Sequence, residues 1–314
     1  MGTSMSTPHL DVILNPIAGR GRAQRAVEHV LAELKRQQIS HTLRVTEYPG
    51  HATSIAKEAM LGGSRVVVAI GGDGTVKEIA EGLLGSRTSL GVLSYGSGND
   101  FAKLLDMPEN LPDRLRLFVR GNSTQFDVGH VRLRSAPGVG FEKKSIFVNQ
   151  LGIGFDARVA YESSKIRWLK DRPLYAYAVL KTLIRYRSAH YMVRIDDRNC
   201  DGRYYMVTVG NGVAEGGGFF TTPDARPHDG LFDICIIKNV GKIRIVSILP
   251  SVLRGTHTRN RHVHMDQCKR IHVEAAGAFT VHADGEILGT EVTQIDVQIK
   301  EGALKIINGR ERID

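Results

Sequence analysis

Gly71-Gly72-Asp73-Gly74-Thr75 follows the unbroken apolar run Val66 to Ile70 and leads into a helical pattern that opens near Thr75. A strand ending on two glycines lets main-chain N–H groups come close to an anion, and the partial positive charge of a helix start favours phosphate there. The chemistry suggested is nucleotide binding. No Gly-Lys-Ser/Thr follows a glycine loop anywhere, and Gly19-Arg20-Gly21 lacks the third glycine of the dinucleotide fingerprint, so neither the P-loop nor the ordinary Rossmann motif is present. A plain strand-to-helix turn would explain the glycines but not the acid and the threonine packed among them.

A second loop of the same kind, Ser94-Tyr95-Gly96-Ser97-Gly98-Asn99-Asp100-Phe101-Ala102-Lys103, follows the short apolar run Leu90 to Leu93. Two such loops at the ends of successive strands line one edge of a parallel sheet, where α/β folds hold their ligands. At the front of the chain, Leu10 to Leu14 runs into Asn15-Pro16-Ile17-Ala18-Gly19-Arg20-Gly21-Arg22, a turn able to present Arg20 and Arg22 to an anion. Near the other end, Val281-His282-Ala283-Asp284-Gly285-Glu286 sets two carboxylates around a glycine in a segment that otherwise reads as strand. Acids flanking a turn are commonly just solvated turn residues.

The elements that must position these loops change character near residue 125. Before it, strands at 10–14, 41–46, 66–70 and 90–93 alternate with helices at 22–38, 51–61, 75–84 and 99–105, which predicts a Rossmann-like parallel sheet with helices on both faces. Helix 22–38 carries Ala26, Val30, Leu31 and Leu34 on one face. After it, short β-rich runs at 126–133, 145–150, 191–196, 203–209, 231–237, 270–274, 278–282 and 294–299, with helices near 173–187 and 242–253, predict an antiparallel β-sandwich or barrel-like domain. The expected domains are therefore an α/β unit over 1–125 and a β-rich unit over 126–299.

At 314 residues, 42% hydrophobic and 24% charged, the chain is long enough for two domains and too apolar for general disorder. Met1 to Thr7 is not a cationic, apolar leader, and no apolar run approaches the ~20 residues that span a bilayer, so a cytosolic location is expected. Cys200, Cys235 and Cys268 lack metal-like spacing, and Cys235 reads as a reduced core residue. The net charge of +9 calls for an anionic partner. Lys165, Arg167, Lys170, Arg172, Lys181, Arg185 and Arg187 are interleaved with Trp168, Leu169, Tyr175, Tyr177, Leu180 and Leu183, a composition suited to peripheral docking on anionic lipid. The competing reading is aromatic core under a solvated cationic face. Arg254, His257, Arg259, Arg261, His262 and His264 are similarly ambiguous, and no nucleic-acid signature accompanies them.

Asn15-Pro16 with Gly19, Gly71-Gly72-Asp73-Gly74-Thr75 with Glu78, Gly96 to Lys103, and Asp284-Gly285-Glu286 together resemble, in order and spacing, the diacylglycerol kinase catalytic-domain family. The soluble bacterial branch is the one this chain looks like, and sphingosine and ceramide kinases are related to it. Gly-Gly-Asp-Gly alone is shared with NAD kinases and phosphofructokinases; the four-part set is specific. The resemblance covers nearly the whole chain, including Pro49-Gly50-His51-Ala52, Lys165 before an aromatic-rich helix, Pro223-Asp224-Ala225 with Asp229-Gly230, and Arg254-Gly255-Thr256-His257.

What the resemblance implies is transfer of the γ-phosphoryl group of ATP to a lipid hydroxyl, with Mg2+, at an anionic membrane surface. Gly71, Gly72, Gly74, Thr75 and Gly96 would cradle phosphate, Asn15, Glu78, Ser97, Asn99 and Lys103 would fix the nucleotide, and Arg20 would counter phosphate charge. By the same resemblance Asp284 is the candidate general base, Glu286 is its partner or a metal-directed carboxylate, and Asp73, Asp100, Asp127 and Asp284 form a charge network linked through water to magnesium. A structural magnesium maps to Asp229 and the Leu231 carbonyl, Lys165 to a phosphate or lipid contact, the cleft to the space between the domains, and residues 300–314 to a strand returning to the first domain, which leaves 126–299 as the lipid-binding part. His228 stands where relatives often carry an acid, which weakens that magnesium site because imidazole suits magnesium poorly. Tyr95, Ser97 and Lys103 replace the usual proline, threonine and arginine. The identity of the lipid and a homodimer stay open, as do two other functions: an NAD kinase-like enzyme with a soluble acceptor, and a non-catalytic nucleotide- or lipid-binding regulator.

Overall fold

A computed structural model describes residues 9–135, 140–166 and 171–309. Arg167, Trp168, Leu169 and Lys170 of the cationic stretch lie outside the described residues, as do the side chains of Arg172 and Tyr175. The chain divides into two compact units. One runs up to Phe126 and resumes at Gly302, and the other is Asp127–Glu301.

The first unit holds β1 (Leu10–Leu14), α1 (Ala18–Arg36), β2 (His41–Val45), α2 (His51–Leu61), β3 (Val66–Gly71), α3 (Asp73–Leu83), β4 (Ser89–Ser94) and α4 (Leu111–Arg120). β1 pairs in parallel with β2 and β3, and β3 pairs in parallel with β4. Lys305 and Ile306, from the last strand of the chain, lie parallel to the far side of β4. Every residue of β3 is buried, as expected of a central parallel strand covered on both faces. Val12, Leu14, Val68 and Ile70 share one apolar cluster with Val27, Val30 and Leu34 of α1 and with Leu115 and Phe118 of α4. The strand order 2-1-3-4 is not the 3-2-1-4 order of the dinucleotide fold, so the expected Rossmann-like description is corrected to a parallel sheet whose order reverses between β1 and β3.

Two local features differ from the sequence reading. Gly19, Arg20 and Gly21 have φ of +58°, +59° and +82°, so the chain coils left-handed before regular helix begins at Arg22. The expected helix at 99–105 is a single tight turn, Phe101–Leu104, entered from Asn99 at φ +53°. α4 was not anticipated, although Asn110 accepts the Asp113 N–H, Pro112 sits in the first turn and Gly121 closes the helix at φ +70°.

β5 (Ser123–Ser135) leads into the second unit. That unit continues with β6 (Glu142–Phe147), β7 (Gln150–Gly154), α5 (Phe155–Ser164), α6 (Asp171–Arg185), β8 (Ala189–Ile195), β9 (Arg198–Asn199), β10 (Gly202–Gly210), β11 (Phe232–Lys238), α7 (Lys242–Val252), β12 (Val263–Cys268), β13 (Arg270–Ala283) and β14 (Glu286–Ile307). Pairing is antiparallel throughout, β12 to β11 to β10 to β7 to β13 to β14, with β8 against both β10 and β13 and with β5 against β6. Inward residues such as Phe147, Leu151, Tyr191, Val207, Phe232, Val273 and Ile295 form its core. α5, α6 and α7 bury a second cluster that includes Phe155, Val179, Leu183, Ile245 and Ile248. α5 and β12 were missed from sequence. The runs at 270–274 and 278–282 are one strand whose register shifts between Glu274 and Phe279, and 294–299 is the middle of the 22-residue β14.

Cys200, Cys235 and Cys268 form no disulfide, and Cys235 is buried. Among the described residues no helix is long and apolar enough to cross a membrane.

Candidate functional site

The sheet's order reverses between β1 and β3, and the carboxyl ends of strands flanking such a reversal are where open α/β sheets place ligands. Here the loops after β1, β3 and β4 are knit together. Asn15 Nδ2 donates to Thr75 Oγ1 at 3.0 Å, the Tyr95 N–H donates to the Gly71 carbonyl at 2.7 Å, and Arg22 Nη2 donates to the Gly96 carbonyl at 2.5 Å. Glycines make this approach possible. A Cβ on Gly96 would stand 2.5 Å from the Gly72 Cα, and one on Gly19 would stand 1.9 Å from the Tyr95 carbonyl oxygen. Gly72 caps α3 without any side chain, so the first-turn N–H groups of an 11-residue helix are presented at the loop junction. Beyond Gly74 the space is open.

Two carboxylates face the same side of the second loop. A Cβ on Gly98 would lie 3.2 Å from Asp73 Oδ2 and 3.0 Å from Asp100 Oδ2. Asp73 Oδ1 also accepts the Phe101 N–H at 3.1 Å, and Asp100, nearly buried, is paired with Lys103 Nζ at 2.5 Å. The amide oxygen of Asn99 is buried and has no hydrogen-bond donor. Ser97 and Arg20 are exposed on these loops. The Glu78 carboxylate accepts the Ala52 N–H at 3.2 Å and thereby caps α2, which lacks a side-chain cap of its own.

In the second unit Asp284 and Gly285, at φ +51° and +81°, are the two residues of a tight β13–β14 hairpin, the conformation for which Asp-Gly is preferred. The Asp284 carboxylate accepts three main-chain N–H groups: Val148 at 2.8 Å, Asn149 at 2.9 Å and Gln150 at 3.0 Å. It is therefore fixed in place by the β6–β7 connection. Glu286 is exposed at the start of β14. Asp127, buried, accepts the Gly230 N–H at 2.8 Å, and its carbonyl accepts from Asn211 Nδ2, which also donates to the Val148 carbonyl. Asn149, Gln150, Asn211, Thr221 and Thr222 form a buried polar network around these acids. Sequence reading passed over that network because each amide stands singly beside a strand end. Lys165 Nζ lies 3.7 Å from Glu162 and 3.7 Å from the centre of the Tyr161 ring.

A further group was also missed. Asp156 opens α5, Glu215 precedes the glycine run 216–218 and His282 lies on β13; all three are buried. His282 Nε2 is 3.1 Å from Glu215 Oε2, and Thr208 Oγ1 donates to Asp156 Oδ2 at 2.7 Å. Burial, and next the Glu215 charge, push the Asp156 carboxyl well above the usual range. Burial opposes the imidazolium of His282, but Glu215, Asp156 and Asp284 outweigh it and raise its pKa. Asp156 and Glu215 end an otherwise apolar cavity walled by Phe155, Val159, Val179, Met206 and Ile248. The signal available in sequence was an acid or histidine inside an apolar run, at Gly154-Phe155-Asp156 and Thr280-Val281-His282-Ala283.

Magnesium takes oxygen ligands and keeps several waters. The Asp73 and Asp100 carboxylates on one side of Gly98 fit that requirement. At the second position, Asp229 Oδ1 accepts the Leu231 N–H at 3.1 Å. Burial, and then the charges of Asp229 and Asp224, push the Asp233 carboxyl up to about 6. His228 beside it is exposed.

Residues 9–131 match the diacylglycerol kinase catalytic domain, and residues 149–308 match the YegS C-terminal NAD kinase beta sandwich-like domain. The diacylglycerol kinase of Bacillus subtilis (strain 168) is 28% identical over 285 residues, which is 88% of this chain and 89% of that protein. The crystal structure of a diacylglycerol kinase from Bacillus anthracis str. Sterne superposes with a TM-score of 0.69 at 21% identity, covering 98% of each chain. Yeast NADH kinase complexed with NADH shares the fold, with a TM-score of 0.58 at 9% identity over 98% of this chain and 85% of that one.

Proposed function

The chain belongs to the diacylglycerol kinase catalytic-domain family, and on that premise we propose that it transfers the γ-phosphoryl group of ATP to a lipid hydroxyl, diacylglycerol or a related lipid alcohol. The observation that carries this reading is the junction of the β1, β3 and β4 loops, where uncapped helix N–H groups, Asn15 and two carboxylates stand together. Main-chain donors of Gly72 to Thr75 receive phosphate oxygens, and Arg20 and Lys103 offset their charge. Asp73 and Asp100 would hold Mg2+ through water, and the ion would supply positive charge against that developing on the transferred group. Asp284 takes the proton of the acceptor hydroxyl. Its three main-chain donors hold it in one orientation. Asp127 holds the 227–230 loop, and Asp229 with Leu231 offers a second, structural Mg2+ position.

The test is an acceptor screen with labelled ATP. Diacylglycerol in mixed vesicles is expected to be phosphorylated, and NAD is not. Preferential turnover of NAD would replace this reading with the NAD kinase one, which the shared fold leaves available.

Docking on a membrane is supported by the faces of α6 and α7. Leu180 and Ile184 on α6 and Ile243 and Val246 on α7 are exposed, with Lys181, Arg185, Lys242 and Arg244 among them. Lys242 Nζ donates to the Ile184 carbonyl at 2.5 Å and so ties the two helices together. Apolar side chains set among cations suit an anionic interface. Ile184→Glu with Ile243→Glu is expected to lower co-sedimentation with anionic vesicles about tenfold, equivalent to ~1.4 kcal/mol, with ATP affinity unchanged. Equal sedimentation of variant and parent would remove these helices from the interface.

A further inference from the structure

Asp156, Glu215 and His282 are 6%, 6% and 2% exposed, and one ligating atom of each lies within 4.8 Å of the others. They converge over a glycine. A Cβ on Gly152 would stand 2.3 Å from His282 Nε2 and 2.5 Å from Asp156 Oδ2, so these two side chains come together where that position has no side chain. Glu215 Oε2 and His282 Nε2 are 3.1 Å apart as an ion pair, and neither atom has a hydrogen-bond partner in any other group. Two carboxylates and an imidazole enclosed by apolar walls are costly to bury, and since one imidazolium balances only one of the acids, the other must either keep its proton or share a bound cation.

We propose that Asp156, Glu215 and His282 form a binding site for one divalent first-row transition ion, separate from any magnesium used with ATP. One imidazole nitrogen with two carboxylate oxygens suits a borderline ion such as Zn2+ or Mn2+, whereas magnesium favours an all-oxygen shell. The Thr208 hydroxyl, donating to Asp156 Oδ2 at 2.7 Å, is the outer partner that orients a ligating carboxylate. Three protein ligands would leave coordination positions free, and two of the three, Asp156 and Glu215, also line the apolar cavity bounded by Phe155, Val159 and Met206. The ion would thus anchor an oxygen-bearing end of an apolar molecule. This assignment does not depend on which acceptor the kinase uses.

The experiment is calorimetric titration of the chelator-stripped full chain with Zn2+, and separately with Mn2+, in saturating Mg2+. One equivalent is expected to bind, with affinity at least tenfold weaker in each of Asp156→Asn, Glu215→Gln and His282→Gln. Affinity should also fall as the pH is lowered, since the ligands must shed protons to bind. Pulsed EPR of Mn2+ on the unaltered protein should show coupling to an imidazole nitrogen, which keeps the proposal decidable if a variant fails to fold. Absence of that coupling, or stoichiometric binding indifferent to all three substitutions, overturns it.

Discussion

Gly96→Ala is expected to weaken ATP binding at least a hundredfold, about 2.8 kcal/mol, while leaving the protein folded. The new Cβ would stand 2.5 Å from the Gly72 Cα and 2.9 Å from Asn99 Oδ1. The first of these neighbours is backbone, so it cannot rotate away, and the loops after β3 and β4 must separate. Separation displaces the N–H groups at the start of α3 from the position in which they meet phosphate. Gly72→Val acts on the same junction from the other side, since a Cβ there already lies 3.0 Å from the Gly96 Cα before any branch is added. Gly277→Ala serves as the control, because nothing lies within 4 Å of its Cβ position. Calorimetry on the folded Gly96→Ala protein decides the matter. Unchanged ATP affinity would move the phosphate site away from these loops.

Why these loops could be found in sequence, while the buried triad could not, comes down to the range of the interactions. Gly71 to Thr75 and Gly96 to Lys103 declare themselves locally, since glycines, hydroxyls and an acid follow an apolar run and precede a helix within about ten residues. Strand order needs partners far along the chain. Nothing in Leu10 to Leu14 announces that β1 sits between β2 and β3, so the Rossmann-like order was expected by default and the 2-1-3-4 order had to be observed. Glu78 shows a second kind of long-range interaction: its motif suggests a nucleotide contact, and nothing local announces that its carboxylate also caps α2, 26 residues earlier in the chain.

The second unit was harder because its strands bend. β13 shifts register between Glu274 and Phe279, so alternation of apolar and polar residues breaks off and resumes, and one strand reads as two. α5 begins directly at the end of β7 with no Ser, Thr or Asn cap, only Gly154 at φ +95°, so its start carried no ordinary signal. Asp156, Glu215 and His282 come from a helix start, a loop and a strand, separated by 59 and 67 positions, and no spacing rule could join them. Asp284 was noticed for its Asp-Gly-Glu pattern. What its carboxylate does for the fold, holding the residues between β6 and β7, was not visible.

That structural employment changes what Asp284→Asn should do. Sequence alone suggests an isosteric change that removes a proton acceptor and leaves the fold untouched. The structure shows a carboxylate accepting main-chain N–H groups on both oxygens, two of them on Oδ1 and one on Oδ2. Asparagine offers one accepting oxygen, and its NH2 group must face at least one N–H donor, so a bond to a charged acceptor is exchanged for a repulsive contact. The loss is expected to be about 2 kcal/mol of stability. The backbone itself is not the problem, since asparagine tolerates φ +51°. Phosphoryl transfer should fall by about 10²–10⁴ through loss of the base. Glu286→Gln separates the two effects, because Glu286 is exposed and its substitution should lower the melting temperature less than Asp284→Asn does. Melting curves and single-turnover rates on both variants make the comparison. A folded Asp284→Asn protein with turnover within tenfold of the parent would take Asp284 out of the chemistry and leave it a purely architectural residue, and a large rate loss in Glu286→Gln alone would transfer the role of base to Glu286.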